Sequence, residues 1–194
     1  MGIGSSSYFI APGRLNMFEL DGYRVIVDYA HNPPAVRSLG EFVEQLAEPS
    51  AEGRRPLVTG RRIGVIATAG DRRDEDIVEL GRTAAGYFDT LIVREDANNR
   101  GRPRGQTAEL IEKGVRQAMG NGARTEAVEV ILDELDATQH ALDMGADGDV
   151  IVVCVDHPNE IWKELQRRQH GASGPSTMSA VTMLADDPEL EVEA

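Results

Sequence analysis

Four short stretches of this 194-residue chain place reactive side chains at turns: "DYAHNP", "AGDRRDED", "REDANNRGR" and "VDHPNE". Ordinary connecting turns favour glycine, serine and asparagine, so aspartate, arginine, histidine and tyrosine gathered there point to binding. Each stretch follows a short β-branched apolar run and precedes a helical pattern. Each therefore sits at the carboxyl end of a strand, where open α/β sheets take their ligands.

In the first stretch, Asp28, Tyr29 and His31 leave the strand "VIV" together, and Asn32 with Pro33 and Pro34 starts a helix. In the second, Ala69 and Gly70 allow close backbone approach, and the helix beginning at Asp74 directs its amides at an anion. Gly70, Asp71, Arg72 and Arg73 thus form a candidate anion or substrate loop. The alternative is that the arginines pair with Asp74, Glu75 and Asp76. The loop lacks the GxxxxGK[ST] spacing of a phosphate cradle, as does the rest of the chain. In the third, Glu95 and Asp96 end the strand "TLIVRE", with Arg100 and Arg102 in the same loop; the alternative is that the four charges pair with one another. In the fourth, His157 precedes Pro158 and is expected to cap or open a helix. The four histidines have no zinc-type spacing, and no serine lies in a GxSxG frame, so no catalytic nucleophile and no metal ligand is assigned.

The elements that must position these stretches follow from periodicity. "MFEL" and "YRVIVD" are expected to form a hairpin turned by Asp21 and Gly22. A helix over about 34–47 has its apolar residues at Val36, Leu39, Val43 and Leu46. The following segment "EPSAEGRRPLVTGRR" is too rich in proline, glycine and charge to be core. Strands "RIGVIAT", "TLIVRE", "AVEVI" and "DVIVVCV" then alternate with helices near 74–87, 107–119, 134–144 and 159–168. Such alternation predicts an α/β, Rossmann-like domain with a mainly parallel sheet, an N-terminal β-hairpin and helices on both faces. The expected organisation is a linker over 1–12, one domain over 13–170 and a disordered acidic tail over 171–194.

A formal charge of −13 argues against a nucleic-acid or anionic membrane partner. The single cysteine, Cys154, lies inside an apolar run and suits a reducing cytoplasm. No stretch approaches the roughly 18 apolar residues of a membrane span, and the first residues do not look like a signal peptide, so a cytoplasmic protein is expected.

"APGRLNMFELDGYRVIVDYAHNPPAV", "GVIATAGDRRDEDIVELGR" and "VREDANNRGR" together resemble the C-terminal lobe of the Mur ligase superfamily, in its cyanophycin synthetase branch. The resemblance runs from about Pro12 to Arg168. It implies ATP-dependent amide formation: ATP with Mg2+ phosphorylates a carboxylate, and an amine displaces the phosphate. It also implies a central P-loop domain, in the same or another chain, that holds the metal. Carried over to this sequence, it assigns Arg14 to the ATP phosphates, Asp28 to the ribose, and Tyr29 and His31 to the adenosine or the central domain. It assigns Glu95, Asp96, Arg100 and Arg102 to the incoming amino acid, arginine in this branch. By itself the lobe is expected to be catalytically incomplete, either a piece of a longer polypeptide or a partner subunit. The alternative is a non-catalytic Rossmann-like module that binds a small ligand or a protein. A dinucleotide oxidoreductase is set aside, because the first strand's turn carries "DYAHNPP" in place of GxGxxG.

Overall fold

The computed structural model describes residues 13–49 and 55–171. The expected linker over 1–12 and nearly all of the expected acidic tail lie outside the described residues. The elements run β1 (Asn16–Leu20), β2 (Tyr23–Asp28), α1 (Pro33–Leu46), β3 (Arg62–Ile66), α2 (Asp74–Ala85), β4 (Thr90–Val93), α3 (Gln106–Met119), β5 (Ala127–Val130), α4 (Glu134–Met144), β6 (Val150–Cys154) and α5 (Pro158–Gly171). They correspond one for one to the expected elements, with ends shifted by a few residues.

The six strands form one sheet in the order β1-β2-β6-β3-β4-β5. Only β1 runs antiparallel to its neighbour; β2, β6, β3, β4 and β5 pair in parallel. Because successive side chains on a strand face opposite ways, each parallel strand feeds two cores. Val150, Val152 and Cys154 of β6 join Ile26, Ile66, Leu91 and Val93 under α1, α2 and α3. Ile151 and Val153 join Val25, Val27, Ile63, Val65 and Ile92 under α4 and α5. Three helices thus cover one face and two the other. The same alternation governs the strand ends: after Ile92 on the α4/α5 face and Val93 on the α1–α3 face, Arg94 and then Glu95 diverge to opposite sides.

Local chemistry sets the helix boundaries. Asn32 is extended and its Oδ1 accepts from Ala35 N at 3.0 Å, with proline at the first two helical positions of α1. Asp133 caps α4 in the same manner, accepting from Leu135 N and Asp136 N. The segment between α1 and β3 departs from expectation. Leu57 N and Val58 N both donate to the Leu46 carbonyl, and Val58 is 2% exposed and packed into the core under α1. A single apolar residue in a polar segment gains by burial wherever the backbone can pair, and composition alone does not reveal it.

Helices α2 and α3 pack through glycine: a Cβ on Gly81 would collide with the Ile111 carbonyl oxygen, and one on Gly114 with that of Val78. We expect Gly114→Ala to destabilise the fold. The overpacking term is about 1–3 kcal/mol against rigid backbone, and the gain in helix propensity of about 1 kcal/mol offsets only part of it. Thermal denaturation should show a lower Tm, and an unchanged or raised Tm would contradict this packing. Burial also pushes the Cys154 thiol up to about 12 from 9.0, so its thiolate fraction at neutral pH drops about a thousandfold. A thiol-specific reagent should therefore label Cys154 only after unfolding, and stoichiometric labelling of the native chain would contradict its burial.

Candidate functional site

The carboxyl ends of β2, β6, β3 and β4 lie side by side, so the four polar stretches share one edge of the sheet. At the end of β2, Asp28 does two jobs. Its Oδ2 accepts from Leu15 N at 2.9 Å, and its Oδ1 from Ala30 N at 2.8 Å. A carboxylate accepting two amides is a firm tie between segments far apart in the chain. This one fastens the 13–16 turn onto the strand end. Gly13 completes the tie: it has φ +71, a Cβ there would meet the Tyr29 ring, and its amide donates to Asn16 Oδ1 at 2.7 Å. Arg14 lies between these two anchored residues and is exposed. Tyr29 is half-buried against Gly13. His31 is exposed, its Nδ1 donating to the Tyr29 carbonyl at 2.8 Å, while its own carbonyl accepts from Thr68 Oγ1 at 2.7 Å. The structure thus joins the turn that carries Arg14 to Asp28 and Tyr29 at the end of β2, with His31 bonded to the Tyr29 carbonyl. Asp28 carries a structural duty that the sequence did not disclose.

The loops after β3 and β4 are clasped to each other. Arg100 Nη1 lies 2.9 Å from Asp71 Oδ2, and Arg102 Nη2 lies 2.7 Å from Asp74 Oδ1 and from the Arg72 carbonyl oxygen. Gly70 does allow a close backbone approach, but what approaches it is the Asn99 carbonyl. Arg73 pairs with Asp76 at 2.8 Å. Arg72 is exposed. The pairing expected within the second stretch thus forms at Arg73–Asp76, whereas Arg100 and Arg102 pair across to the other loop and not within their own.

Glu95 does not project into open space. It is 1% exposed; its Oε1 accepts from Thr107 N at 2.9 Å and Ala108 N at 3.3 Å, and its Oε2 from Gly105 N at 2.8 Å. The alternation along β4 sends it to the α1–α3 face, where the start of α3 offers unpaired amides. Its first role is therefore to cap α3, a correction to the expectation of a side chain directed wholly at a substrate amine. Asp96 is half-exposed, and its Oδ1 accepts from Asn98 N at 2.9 Å.

Sequence reasoning missed Arg94. It is 1% exposed, among the largest fully buried side chains. Its Nε and Nη2 donate to the Cys154 carbonyl at 3.2 and 2.6 Å, and its Nη1 to Asp156 Oδ2 at 2.7 Å and the Glu95 carbonyl at 3.3 Å. Glu134 Oε1 lies 3.5 Å from Nη2. Glu134 also accepts from Asp156 N at 2.7 Å, and its Oε2 meets His157 N at 3.2 Å and Nδ1 at 2.9 Å. The available signal was the arginine directly following "TLIV", in phase with Ile92. A cavity of about 350 Å³ opens beside this network, walled by Glu95 and Arg104 from one loop and by Asp133, Glu134, His157 and Glu160 from the other side. Its lining carries more carboxylates than cations, so it suits a positively charged group of amino-acid size.

The hydrogen bond to Glu134 raises the His157 imidazole above its ordinary 6.5. Folding therefore favours the imidazolium. That stabilisation is fully present below pH 6.5 and is lost as pH rises through the raised value. Tm should fall more steeply as pH rises above 6.5 in the unmodified chain than in His157→Gln. Parallel curves would remove the ion pair from the account.

Comparison with known proteins agrees with this architecture. Residues 13–155 match the family described as Mur ligase, glutamate ligase domain. The chain is 43% identical over 157 residues to a cyanophycin synthetase of Nostoc sp., covering 81% of this chain and 16% of that protein. It is 46% identical over 155 residues to that of Synechocystis sp., covering 80% and 16%. It therefore spans about a sixth of the length of these relatives. Among solved structures, a UDP-N-acetylmuramoyl-L-alanyl-D-glutamate–2,6-diaminopimelate ligase superposes with a TM-score of 0.57 at 24% identity, covering 77% of this chain and 27% of the other. A bifunctional folylpolyglutamate synthase/dihydrofolate synthase from Yersinia pestis, complexed with AMPPNP and Mn ion, gives 0.56 at 20% identity, covering 80% and 31%. At these identities the two structures speak for the fold alone. On the family match and the two synthetases, the chain belongs to the Mur ligase C-terminal family.

Proposed function

We propose that the chain is the C-terminal lobe of a cytoplasmic ATP-dependent acid–amino-acid ligase of the cyanophycin synthetase kind, joining arginine to a carboxylate. The observation that carries this reading is the turn at Arg14. Asp28 and the Gly13–Tyr29 contact hold that turn at the sheet edge, so the exposed residue Arg14 is carried on a backbone fixed at both sides. A guanidinium fits a phosphate in a bidentate manner, and prior ordering of its backbone lowers the entropy cost of that contact. Tyr29 and His31 lie beside it for the nucleoside.

ATP brings Mg2+, which neutralises charge on the phosphates during transfer. Among the described residues no group of three or more histidine, cysteine, aspartate or glutamate side chains stands together to hold a metal. In this reading the ion belongs to a central P-loop domain. The chain's own residues orient the nucleotide and present the amine. The amine is received in the acidic cavity, where Glu134 and Glu160 face a guanidinium or an α-amino group and Arg104 faces the α-carboxylate. Asp96, Arg100 and Arg102 border the same loop. The clasps Arg100–Asp71 and Arg102–Asp74 hold the loop in place, with Gly70, Arg72 and Arg73 at its outer side.

The test is a lobe exchange, in which this chain replaces the matching residues of the Nostoc relative and arginine-dependent phosphate release from ATP is measured. The exchanged enzyme should be active. Arg14→Ala should lower kcat/KM for ATP by at least about tenfold, the loss of one charge-assisted hydrogen bond of roughly 1.5–3 kcal/mol, with little change in Tm. The isolated chain should not turn over ATP at the roughly 1 per second or more of kinases. A folded but inactive exchange, or rapid hydrolysis by the chain alone, would contradict the proposal.

A further inference from the structure

The two walls of the acidic cavity belong to strands that do not touch. The wall carrying Glu95 and Arg104 leaves β4 and the wall carrying His157 and Glu160 leaves β6, with β3 between them in the sheet. β3 ends at Ile66, and beyond it no strand pairing joins the two loops. What spans the gap is one side chain. From a backbone whose amide donates to the Ile66 carbonyl at 3.0 Å, Arg94 reaches over the end of β3 to the Cys154 carbonyl and Asp156. The third wall, the start of α4, is joined to the same point, because Glu134 takes Arg94 on one side and the amides of Asp156 and His157 on the other.

We propose that Arg94 is the positioning residue of the amine subsite: a guanidinium that does not meet the amine but sets the spacing of the three walls that do. The assignment rests on the ligase reading of this cavity. Its planar fork fits this geometry, since Nε and Nη2 together address the Cys154 carbonyl while Nη1 addresses Asp156 and the Glu95 carbonyl. A lysine ammonium is a single point and cannot hold Cys154, Asp156 and Glu95 together. The neighbouring Glu95 works the other way, tying the same loop down onto α3. Adjacent residues on β4 thus fix the loop from its two faces, and a cavity built on both ties has one width.

The experiment compares Arg94→Lys and Asp156→Asn with the unaltered chain in two measurements. In the first, amide hydrogen exchange of the 194-residue chain without ligand, both variants should speed exchange at Glu95, Asp156 and His157 by at least about tenfold, while Ile63–Ile66 and α2 keep their rates. In the second, the lobe-exchanged enzyme, both should raise KM for arginine by at least about tenfold, with kcat and KM for ATP within about threefold. Acceleration spread evenly through β3 and α2, no local acceleration, or equal rises in both KM values would overturn the assignment and leave Arg94 as general support for the fold. Should Arg94→Lys fail to fold, Asp156→Asn decides by the same two measurements, since it removes the charge that Arg94 Nη1 meets and keeps the shape. If the unaltered enzyme is not saturated by arginine, the ligase reading fails and takes the amine subsite with it, whereas the ligand-free exchange pattern judges the coupling of the loops by itself.

Discussion

The insertion of β6 between β2 and β3 is the constraint on which the rest depends. β6 pairs in parallel with both neighbours, Ile151 standing opposite Val25 on one side and Ile63 on the other. Its five residues are all buried. Such a strand must be apolar on both faces, and "VIVVC" is. The last strand among the described residues is therefore the one that closes the centre of the sheet. Without it nothing joins β2 to β3, and the edge that carries the polar stretches is not continuous. Long-range pairing of this kind is costly in chain entropy and returns stability only through the burial that it completes.

Once the edge exists, charged side chains on backbone amides and carbonyls organise it. Asp28 ties the Arg14 turn to β2, Glu95 ties the 95–105 loop to α3, and Arg94 ties β4 to β6. All three are charge-assisted hydrogen bonds in partly or fully buried surroundings, where losing one partner strands the other. That costs about 3–5 kcal/mol for a buried ion pair. The exposed clasps Arg100–Asp71 and Arg73–Asp76 belong to another class, screened by water and worth little to stability. A ligand can displace the second kind and not the first. The edge accordingly has rigid walls and exchangeable outer charges, which is the division a binding site needs.

The covering of the sheet is uneven, and this too follows from the chain's path. From β2 the chain steps over β6 to β3 and then outward to β4 and β5, which puts α1, α2 and α3 on one face. It then returns to the middle, placing α4 and α5 on the other. The return brings Glu134, at the start of α4, beside the end of β6. Edge strand β5 keeps exposed Glu129 in a salt bridge with His140, and a charged edge discourages pairing with other chains.

By itself, the sequence determined the elements, their order and the class of the sheet. β-branched apolar runs of four to six residues alternating with amphipathic helices leave few other arrangements. It also located the edge: Asp28, Tyr29 and His31 are legible as a cluster because they follow a strand and precede a helix start, whereas Arg14 is joined to them only by the family resemblance. Tertiary structure decided which charges meet. Arg100 and Arg102 found Asp71 and Asp74 across two loops, although carboxylates stood nearer in sequence, because β3 and β4 are neighbours in the sheet. Arg94 and Glu95 are adjacent in sequence and serve opposite faces, one bonded to β6 and the other to α3. The reason is physical. Periodicity is local and survives in one dimension, whereas the partner of a buried charge is chosen by whichever unpaired amide, carbonyl or carboxylate the completed fold brings within about 3 Å.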